Sequence, residues 1–235
     1  MSQAMIGNSP PLSIHVPVKQ IKLDLACGQC PVCEGVKFPD GIVPPHEDGF
    51  EGVDLYAPKA KHKFNLLKFP WPFADDSVDE LFCSHFIEHI PMVYVSQDNG
   101  HSHVQDEVFS KDLLMAFFDE CWRVLKDGGM LKVITPSARS DRAFQDPTHR
   151  RFIVAPTFCY LWKKWRTDNK LDHYNVKCDF DFSVDPSFLI QPQCCSYHMN
   201  APIQGRHESV QGKEFMHYWN MMMDWTAKLI ARKNR

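Results

Sequence analysis

The stretch Asp112–Thr135 has the sequence DLLMAFFDECWRVLKDGGMLKVIT. Its apolar residues up to Lys126 recur at positions that share one face of a helix. Ser110 is the predicted N-cap of this helix, and Asp127–Gly129 is its predicted end. Met130–Thr135 is rich in aliphatic and β-branched residues and predicts a strand. A helix that passes through a short turn into a strand is typical of an alternating α/β domain.

Four further β-rich segments precede this helix. They are Ile21–Gly28, Phe50–Tyr56, a weaker one at Lys63–Leu67, and Val78–Ser84. Strands that alternate with helical patterns indicate a doubly wound, mostly parallel sheet with helices packed against it. Residues 29–49 are rich in proline and glycine, so we expect a non-helical loop between the first two strands.

The chain after Thr135 shows weaker patterns. We expect a helix near Thr157–Thr167, a strand at Val176–Val184 and a turn-rich stretch at Asp185–Arg206. From Lys213 onward, large apolar residues recur at helical spacing and predict a C-terminal helix whose stripe packs into the core. The residues of this stripe are Phe215, Tyr218, Trp219, Met222, Trp225, Thr226 and Leu229.

The composition argues against several classes of protein. A net charge of -3 gives no electrostatic basis for binding nucleic acid. The sequence shows neither the basic start and apolar run of a secretory signal nor any apolar run of about 18 residues, so we expect no export and no membrane span. The chain has 9 cysteines, an odd number, which suits free thiols in a reducing cytoplasm better than a disulfide framework.

Two short motifs resemble parts of metal sites. His85-Phe-Ile-Glu-His89 matches the H-x-x-E-H pattern of some zinc peptidases, but Pro91 disfavours the longer helix that such a site requires. Cys30-Pro-Val-Cys33 matches half of a zinc knuckle, and no second half with the right spacing follows. We therefore expect no bound metal.

Three residues lie where parallel strands are expected to end. In open α/β sheets, ligands bind outside the carboxyl ends of the strands, where the strand order reverses. Gly28 would let a ligand approach the backbone closely, Asp54 is placed to accept hydrogen bonds from ribose hydroxyls, and Asn65 could meet an adenine edge. Together these positions predict an adenosine-containing cofactor.

Several motifs resemble, in order, those of class I S-adenosylmethionine-dependent methyltransferases of the type 11 kind. They are LDLACG, GVDL, FPWPFADDSVDELFCSHFIEHI and FFDECWRVLKDGGMLKVITPSARSDRAFQDPTHRRF, which together span about Ile21 to Phe152. The resemblance implies a Rossmann-like domain, S-adenosyl-L-methionine as cofactor and methyl transfer as activity. In this family the segment FIEHI leads from the fourth strand into the next helix, which is an alternative to the peptidase interpretation.

The resemblance also implies the residues of the cofactor site. The residues expected to bind S-adenosylmethionine are Asp24, Ala26, Gly28, Asp54, Leu55, Asn65, Leu66, Ser84 and His85. We expect an irregular lead-in at residues 1–19 and a single methyltransferase domain at residues 20–235. Residues 20–136 would form its cofactor-binding half, and residues 137–235 would supply the substrate side and the C-terminal elements.

The segment Ser137–Arg151 crowds Arg, Asp and His residues just after the fifth strand, which suits a polar substrate pocket. A hydroxyl or amine acceptor must lose a proton, and histidine has a pKa suited to take it. We predict His149 as the base or acceptor-positioning group, with Asp146 three residues earlier orienting its ring. The predicted acceptor is a small polar or sugar-like molecule.

Two other classes of function stay open. A nicotinamide-dependent oxidoreductase would use a similar sheet, but ACGQCPVC has one glycine where the phosphate-binding G-x-G-x-x-G needs three. A module that binds the cofactor or its demethylated product without catalysis is also compatible with the sequence, because methyl transfer often needs no diagnostic catalytic residue.

Overall fold

The computed structural model describes residues 19–28, 49–96, 110–181, 195–199, 219 and 222–233. The predicted non-helical loop, with Cys30 and Cys33, lies outside the described residues, as does nearly all of the predicted lead-in.

Most of the regular elements in the described chain are strands, and one helix is long. The strands are β1 (Lys22–Leu25), β2 (Phe50–Val53), β3 (Val78–Ser84), β4 (Tyr94–Ser96), β5 (Ser110–Asp112), β6 (Leu125–Pro136), β7 (Phe180–Asp181), β8 (Cys195–Met199) and β9 (Met222–Ala231). The α-helices are α1 (Leu113–Val124), α2 (Arg142–Gln145) and α3 (Lys163–Asp168). Short 3-10 helices occupy Ile87–His89, Ala155–Leu161 and Asp172–Tyr174. No helix in the described part of the chain is long and apolar enough to cross a membrane.

The main sheet is open and mostly parallel, as predicted. Its order is β2-β1-β3-β6-β9-β7, and β8 also pairs with β9. β1 is parallel to both β2 and β3, and β3 is parallel to β6. β9 runs antiparallel to β6, β7 and β8, so it alone points the other way. The predicted strands at β1, β2, β3 and β6 are confirmed.

The core lies between one face of this sheet and α1. Alternate residues of β1, β3 and β6 turn to this face, including Leu23, Leu81 and Leu131, which are all fully buried. From α1, Phe117 and Phe118 are fully buried against it. The apolar stripe predicted from the sequence thus covers the sheet, which is where most of the stability of an amphipathic helix comes from.

The opposite face carries alternating charged and aromatic residues. Phe50 packs edge-on against Phe82, and the ammonium groups of Lys22 and Lys132 lie over these two rings at 5.5 Å and 5.7 Å. Lys22 also pairs with Glu80 at 3.1 Å. The second helical layer of a doubly wound fold is therefore not found among the described residues.

The ends of α1 differ from the prediction. Asp112, not Ser110, is the N-cap, because its carboxylate accepts a hydrogen bond from the Leu114 N–H at 2.9 Å. The helix ends at Val124, and the predicted Gly-Gly stop lies inside β6. A Cβ on Gly129 would lie 3.1 Å from the Asp79 carbonyl of the neighbouring strand, so the glycine permits this close approach.

The weak third strand predicted at Lys63–Leu67 is wrong. Among the described residues, a single parallel bridge, between Val53 and His62, continues the sheet beyond β2. The chain then turns, because the Asn65 side-chain oxygen accepts from the Leu67 N–H at 2.8 Å and competes with strand pairing.

The predicted C-terminal helix is wrong over residues 222–231, which form β9; residues 213–218 lie outside the described residues. Trp225, Ala227, Leu229 and Ala231 are all buried and alternate along the strand. Trp225 and Leu229 fit both a helical and a two-residue period, so spacing alone did not separate the two structures. Antiparallel pairing of this segment with β6 makes it a strand.

Two other predictions hold in part. The helix expected near Thr157–Thr167 is divided between a 3-10 helix at Ala155–Leu161 and α3, and the strand expected at Val176–Val184 is β7, described to Asp181.

A cross-linking experiment tests the strand assignment of β9. Lys132 of β6 pairs with Lys228 of β9, and paired antiparallel residues have Cα atoms about 4.5–5.5 Å apart, within disulfide range. We expect the Lys132→Cys/Lys228→Cys variant to form this disulfide on mild oxidation, as identified by peptide mass mapping. The control Lys132→Cys/Arg232→Cys places the thiols about 13 Å apart along the strand and should not cross-link. Absence of the first cross-link would contradict β9.

Candidate functional site

A cleft lies at the carboxyl ends of β1 and β2, next to the point where the strand order reverses. From β1 the chain continues to β2 on one side and later to β3 on the other, and such switch points form ligand crevices in open α/β sheets. The cleft has a volume of about 340 Å³, within the range of small-molecule sites. Its lining residues are Ala26, Asp54, Leu55, Tyr56, Phe64, Asn65, Leu66, Leu67 and Phe86.

Asp54 joins the ends of β1 and β2. Its carboxylate accepts hydrogen bonds from the backbone N–H groups of Gly28 at 3.1 Å, Tyr56 at 2.8 Å and Ala57 at 2.9 Å. Burial raises the pKa of Asp54, but these three donors outweigh burial and hold its pKa below the ordinary value. A carboxylate has about four lone-pair sites, so the bonds from described residues leave one for a ligand.

The opposite wall of the cleft is held by the turn after residue 62. The Asn65 oxygen is engaged with the Leu67 N–H, which leaves the amide NH₂ of Asn65 as a donor. The Leu66 carbonyl accepts from the indole N–H of Trp71 at 3.1 Å, and Trp71 is buried against Phe117 of α1. Packing of α1 therefore fixes this wall.

The backbone is strained at the ends of both strands that flank the switch point. Ala26, just after β1, has φ 55°, and His85, just after β3, has φ 51°. Non-glycine residues rarely adopt such left-handed conformations, which cost on the order of 1–3 kcal/mol where the surrounding structure imposes them. In His85 this conformation accompanies a hydrogen bond from its N–H to the Ile134 carbonyl at 2.8 Å.

Glu88 connects three segments at the same edge. Its carboxylate accepts from the Thr135 hydroxyl at 3.0 Å and contacts His85 Nδ1 at 3.2 Å. Its backbone carbonyl accepts from the N–H groups of Arg150 at 2.7 Å and Arg151 at 3.0 Å. These bonds fix the segment after β6 against the turn after β3.

His89 and His149 meet because of this arrangement, with ring centroids 4.7 Å apart. The sequence predicted that Asp146 orients the His149 ring, but the Asp146 carboxylate has a different partner. It accepts from the Thr148 hydroxyl at 2.7 Å, and Thr148 in turn contacts His89 Nδ1 at 3.0 Å. The His149 ring is oriented by the Ala143 carbonyl, 2.9 Å from its Nδ1.

Some of the charged residues predicted to line a substrate pocket have structural partners. Arg151 donates to the Ile90 carbonyl at 2.8 Å and pairs with Asp112, the N-cap of α1. Arg142 pairs with Asp224 of β9 at 3.3 Å. These two guanidinium groups join the segment after β6 to the scaffold.

The predicted cofactor residues separate into two groups. Ala26, Asp54, Leu55, Asn65 and Leu66 line the cleft, and Gly28 borders it through its bond to Asp54. The residues outside the lining are Asp24, which is buried in β1, Ser84 and His85.

The cleft is also lined by four residues that the sequence patterns do not predict, namely Tyr56, Phe64, Leu67 and Phe86. Tyr56 and Leu67 directly follow predicted residues in the chain, so a wider window around Asp54 and Asn65 would have included them. Phe86 lies inside the segment HFIEH, which was interpreted from its two histidines and its glutamate.

Comparison with known proteins gives distant structural similarities only. No family model and no curated protein matches the chain. A S-adenosylmethionine-dependent methyltransferase from Archaeoglobus fulgidus is 15% identical over 91% of this chain and 86% of its own, with a TM-score of 0.45. One from Mesorhizobium loti is 12% identical over 90% and 91%, with a TM-score of 0.44.

A third similar structure is the N-methyltransferase NodS from Bradyrhizobium japonicum WM9 in complex with S-adenosyl-L-homocysteine. It is 11% identical over 91% of this chain and 79% of its own, with a TM-score of 0.38.

The geometry of Asp54 predicts a role in stability as well as in binding. Asp54→Ala leaves three backbone donors without their charged acceptor, so the free energy of unfolding at pH 7 should fall by about 2 kcal/mol. Because the folded-state pKa lies below the ordinary 3.8, this stabilisation is present above about pH 3.8 and is lost as the pH falls through the lowered pKa.

Urea unfolding of the unmodified protein and of Asp54→Ala between pH 7 and pH 3 measures the difference in their free energies of unfolding. Asp168→Ala, which removes an exposed carboxylate paired with Lys164, is the control and should change the free energy of unfolding by less than about 0.5 kcal/mol. A loss at Asp54 that is independent of pH would contradict the assignment.

Proposed function

We propose that this protein is a methyltransferase that binds S-adenosyl-L-methionine in the cleft at the ends of β1 and β2. The observation that carries the proposal is the convergence, at the switch point of an open parallel sheet, of a strand-end carboxylate, a side-chain amide and an apolar wall. The sequence motifs around these residues resemble those of class I methyltransferases, which supports the same conclusion.

The residues of the cleft fit the parts of this cofactor. The remaining acceptor site of Asp54 suits a ribose hydroxyl, and the Asn65 amide suits a ring nitrogen of adenine. Leu55, Leu66 and Phe86 offer apolar surface to the adenine faces. When bound, S-adenosylmethionine supplies a methyl group on a positively charged sulfur, so the protein mainly has to position the acceptor and exclude water.

The proposed acceptor site lies along the segment after β6. Phe144 and Phe152 are stacked with ring centroids 4.4 Å apart, and each is about half exposed. Phe144 directly follows Ala143 in the chain, and the carbonyl of Ala143 holds the His149 ring. Exposed aromatic faces next to polar groups suit a small polar acceptor with a ring, such as a sugar.

His149 is the proposed base or acceptor-positioning group. With Nδ1 bonded to the Ala143 carbonyl, its Nε2 carries the lone pair and has no partner among the described residues. Asp146 acts at one remove, through Thr148 and His89. This replaces the direct Asp146–His149 contact expected from the sequence.

Cofactor binding is tested at the cleft wall. Leu55 is 39% exposed and lines the cleft, so Leu55→Ala should fold normally but lose about 1 kcal/mol of apolar contact. We expect calorimetry to show S-adenosylmethionine binding weakened about fivefold. Val93→Ala, at an exposed valine outside the lining, is the control and should bind as the unmodified protein does. Equal affinity for Leu55→Ala would place the cofactor elsewhere.

Methyl transfer itself is tested with methyl-labelled cofactor in a cell extract. Labelling of a small molecule would separate an enzyme from a module that only binds the cofactor. With the acceptor so identified, His149→Ala should lower turnover about 10²-fold and leave cofactor affinity unchanged, because His149 lies outside the cleft. Normal turnover of this variant would show that His149 has no part in the reaction.

A further inference from the structure

Three potential metal ligands converge at the carboxyl ends of β3 and β6. One ligand atom each from Glu88, His89 and His149 lies within 4.8 Å of the others. Donors that share one zinc ion lie roughly 3.3 Å apart at bond lengths near 2.0 Å. The three groups would have to approach one another by up to about 1.5 Å to share a single cation.

The hydrogen bonds of Thr148 fix the tautomer of His89. The Thr148 hydroxyl has one proton, which it donates to Asp146 at 2.7 Å. At its contact with His89 Nδ1, 3.0 Å away, the hydroxyl must then accept, so Nδ1 carries the proton. The lone pair of His89 is left on Nε2, which has no partner in the described part of the chain.

His149 has the same tautomer for a different reason. Its Nδ1 lies 2.9 Å from the Ala143 carbonyl, which can only accept, so Nδ1 carries the proton here as well. A metal-binding histidine almost always donates its second ring N–H to a carbonyl, carboxylate or water, which fixes the ring and strengthens the ligand. In the neutral form of each ring, Nε2 is therefore the nitrogen that can bind a metal ion.

Glu88 adds a buried acidic group that has no lysine or arginine partner among the described residues. Its side chain is 2% exposed, and its contacts among the described residues are the Thr135 hydroxyl and His85. A buried carboxylate is costly unless a cation or several donors compensate it. A metal ion would supply the missing positive charge.

We propose that Glu88, His89 and His149 bind a divalent transition-metal cation such as Zn²⁺. Imidazole and carboxylate ligands suit such ions, and three protein ligands leave at least one coordination position for another oxygen. This proposal departs from the expectation, drawn from the sequence, that the chain binds no metal. The ligand set also differs from the H-x-x-E-H pattern, because His85 is replaced by His149 from a distant segment.

The site also narrows the class of acceptor, an inference that rests on the proposed function. His89 and His149 are partly exposed and lie beside the segment proposed to hold the acceptor. A cation there would bind an acceptor oxygen, such as a hydroxyl or carboxylate, and polarise it. In that case His149 acts through the metal instead of accepting the proton itself.

Metal binding is tested on the full chain after removal of metal by chelator dialysis. Calorimetric titration with Zn²⁺, without cofactor or acceptor, should show one site per chain. His89→Ala and His149→Ala should each weaken binding at least tenfold, and circular dichroism and thermal melting show whether each variant remains folded. Thr148→Val keeps all three ligands but removes the group that fixes the His89 tautomer, so it should weaken binding about 10–100-fold.

Two control variants distinguish this site from others. His173→Ala removes an exposed histidine from the 3-10 helix at Asp172–Tyr174 and should bind Zn²⁺ as the unmodified chain does. Cys30→Ser/Cys33→Ser removes the sequence motif that could bind zinc independently and should also leave binding unchanged. Absence of Zn²⁺ binding, or binding that depends on the cysteines and not on the histidines, would overturn the proposal.

The result of the Zn²⁺ titration does not depend on whether the protein transfers methyl groups. Cofactor binding in the cleft is measured separately, on the His89→Ala/His149→Ala variant. We expect this variant to retain S-adenosylmethionine binding and to lose the Zn²⁺ site. If the unmodified chain binds Zn²⁺ but no S-adenosylmethionine, the metal site is supported and the methyltransferase proposal is contradicted.

Discussion

Parallel pairing of β1 with both β2 and β3 is the constraint on which the rest of this structure depends. In a parallel ladder the carboxyl ends of neighbouring strands lie at the same edge, so every segment that leaves a strand begins there. The chain departs from β1 towards β2 and later towards β3, which opens a crevice between the two connections. The cleft and the Glu88–His89–His149 group both lie along this edge.

The same contacts that build the edge also prepare it for a ligand. Asp54 accepts hydrogen bonds from three backbone N–H groups at the ends of β1 and β2, and the described residues leave one of its lone-pair sites unused. Asn65 uses its oxygen to shape a turn and keeps its amide protons. Because each group is fixed by its structural bonds, the proposed cofactor would lose little of its binding energy to ordering them.

Glu88 has a comparable role on the other side of the switch point. Its backbone carbonyl holds Arg150 and Arg151, and its side chain bonds Thr135 of β6. Without these bonds His149 would not be held beside His89, which lies 60 residues earlier in the chain. The buried carboxylate is therefore both the anchor of the segment after β6 and the acidic member of the proposed metal site.

The sequence by itself determined the elements whose periodicity is unambiguous. The stripe on α1, the β-rich runs of β1, β2, β3 and β6, and the position of Asp54 at a strand end follow from local patterns, because burial on one face imposes a fixed period. Only the tertiary structure decided between strand and helix for β9, since Trp225 and Leu229 suit both periods and pairing with β6 selects one. It also decided which polar side chains meet. Asp146 is three residues from His149 but bonds Thr148, whereas His89 meets His149 because backbone bonds from Arg150 and Arg151 to Glu88 fold the chain back. Such contacts depend on three-dimensional position and leave no spacing in the sequence from which they could be predicted.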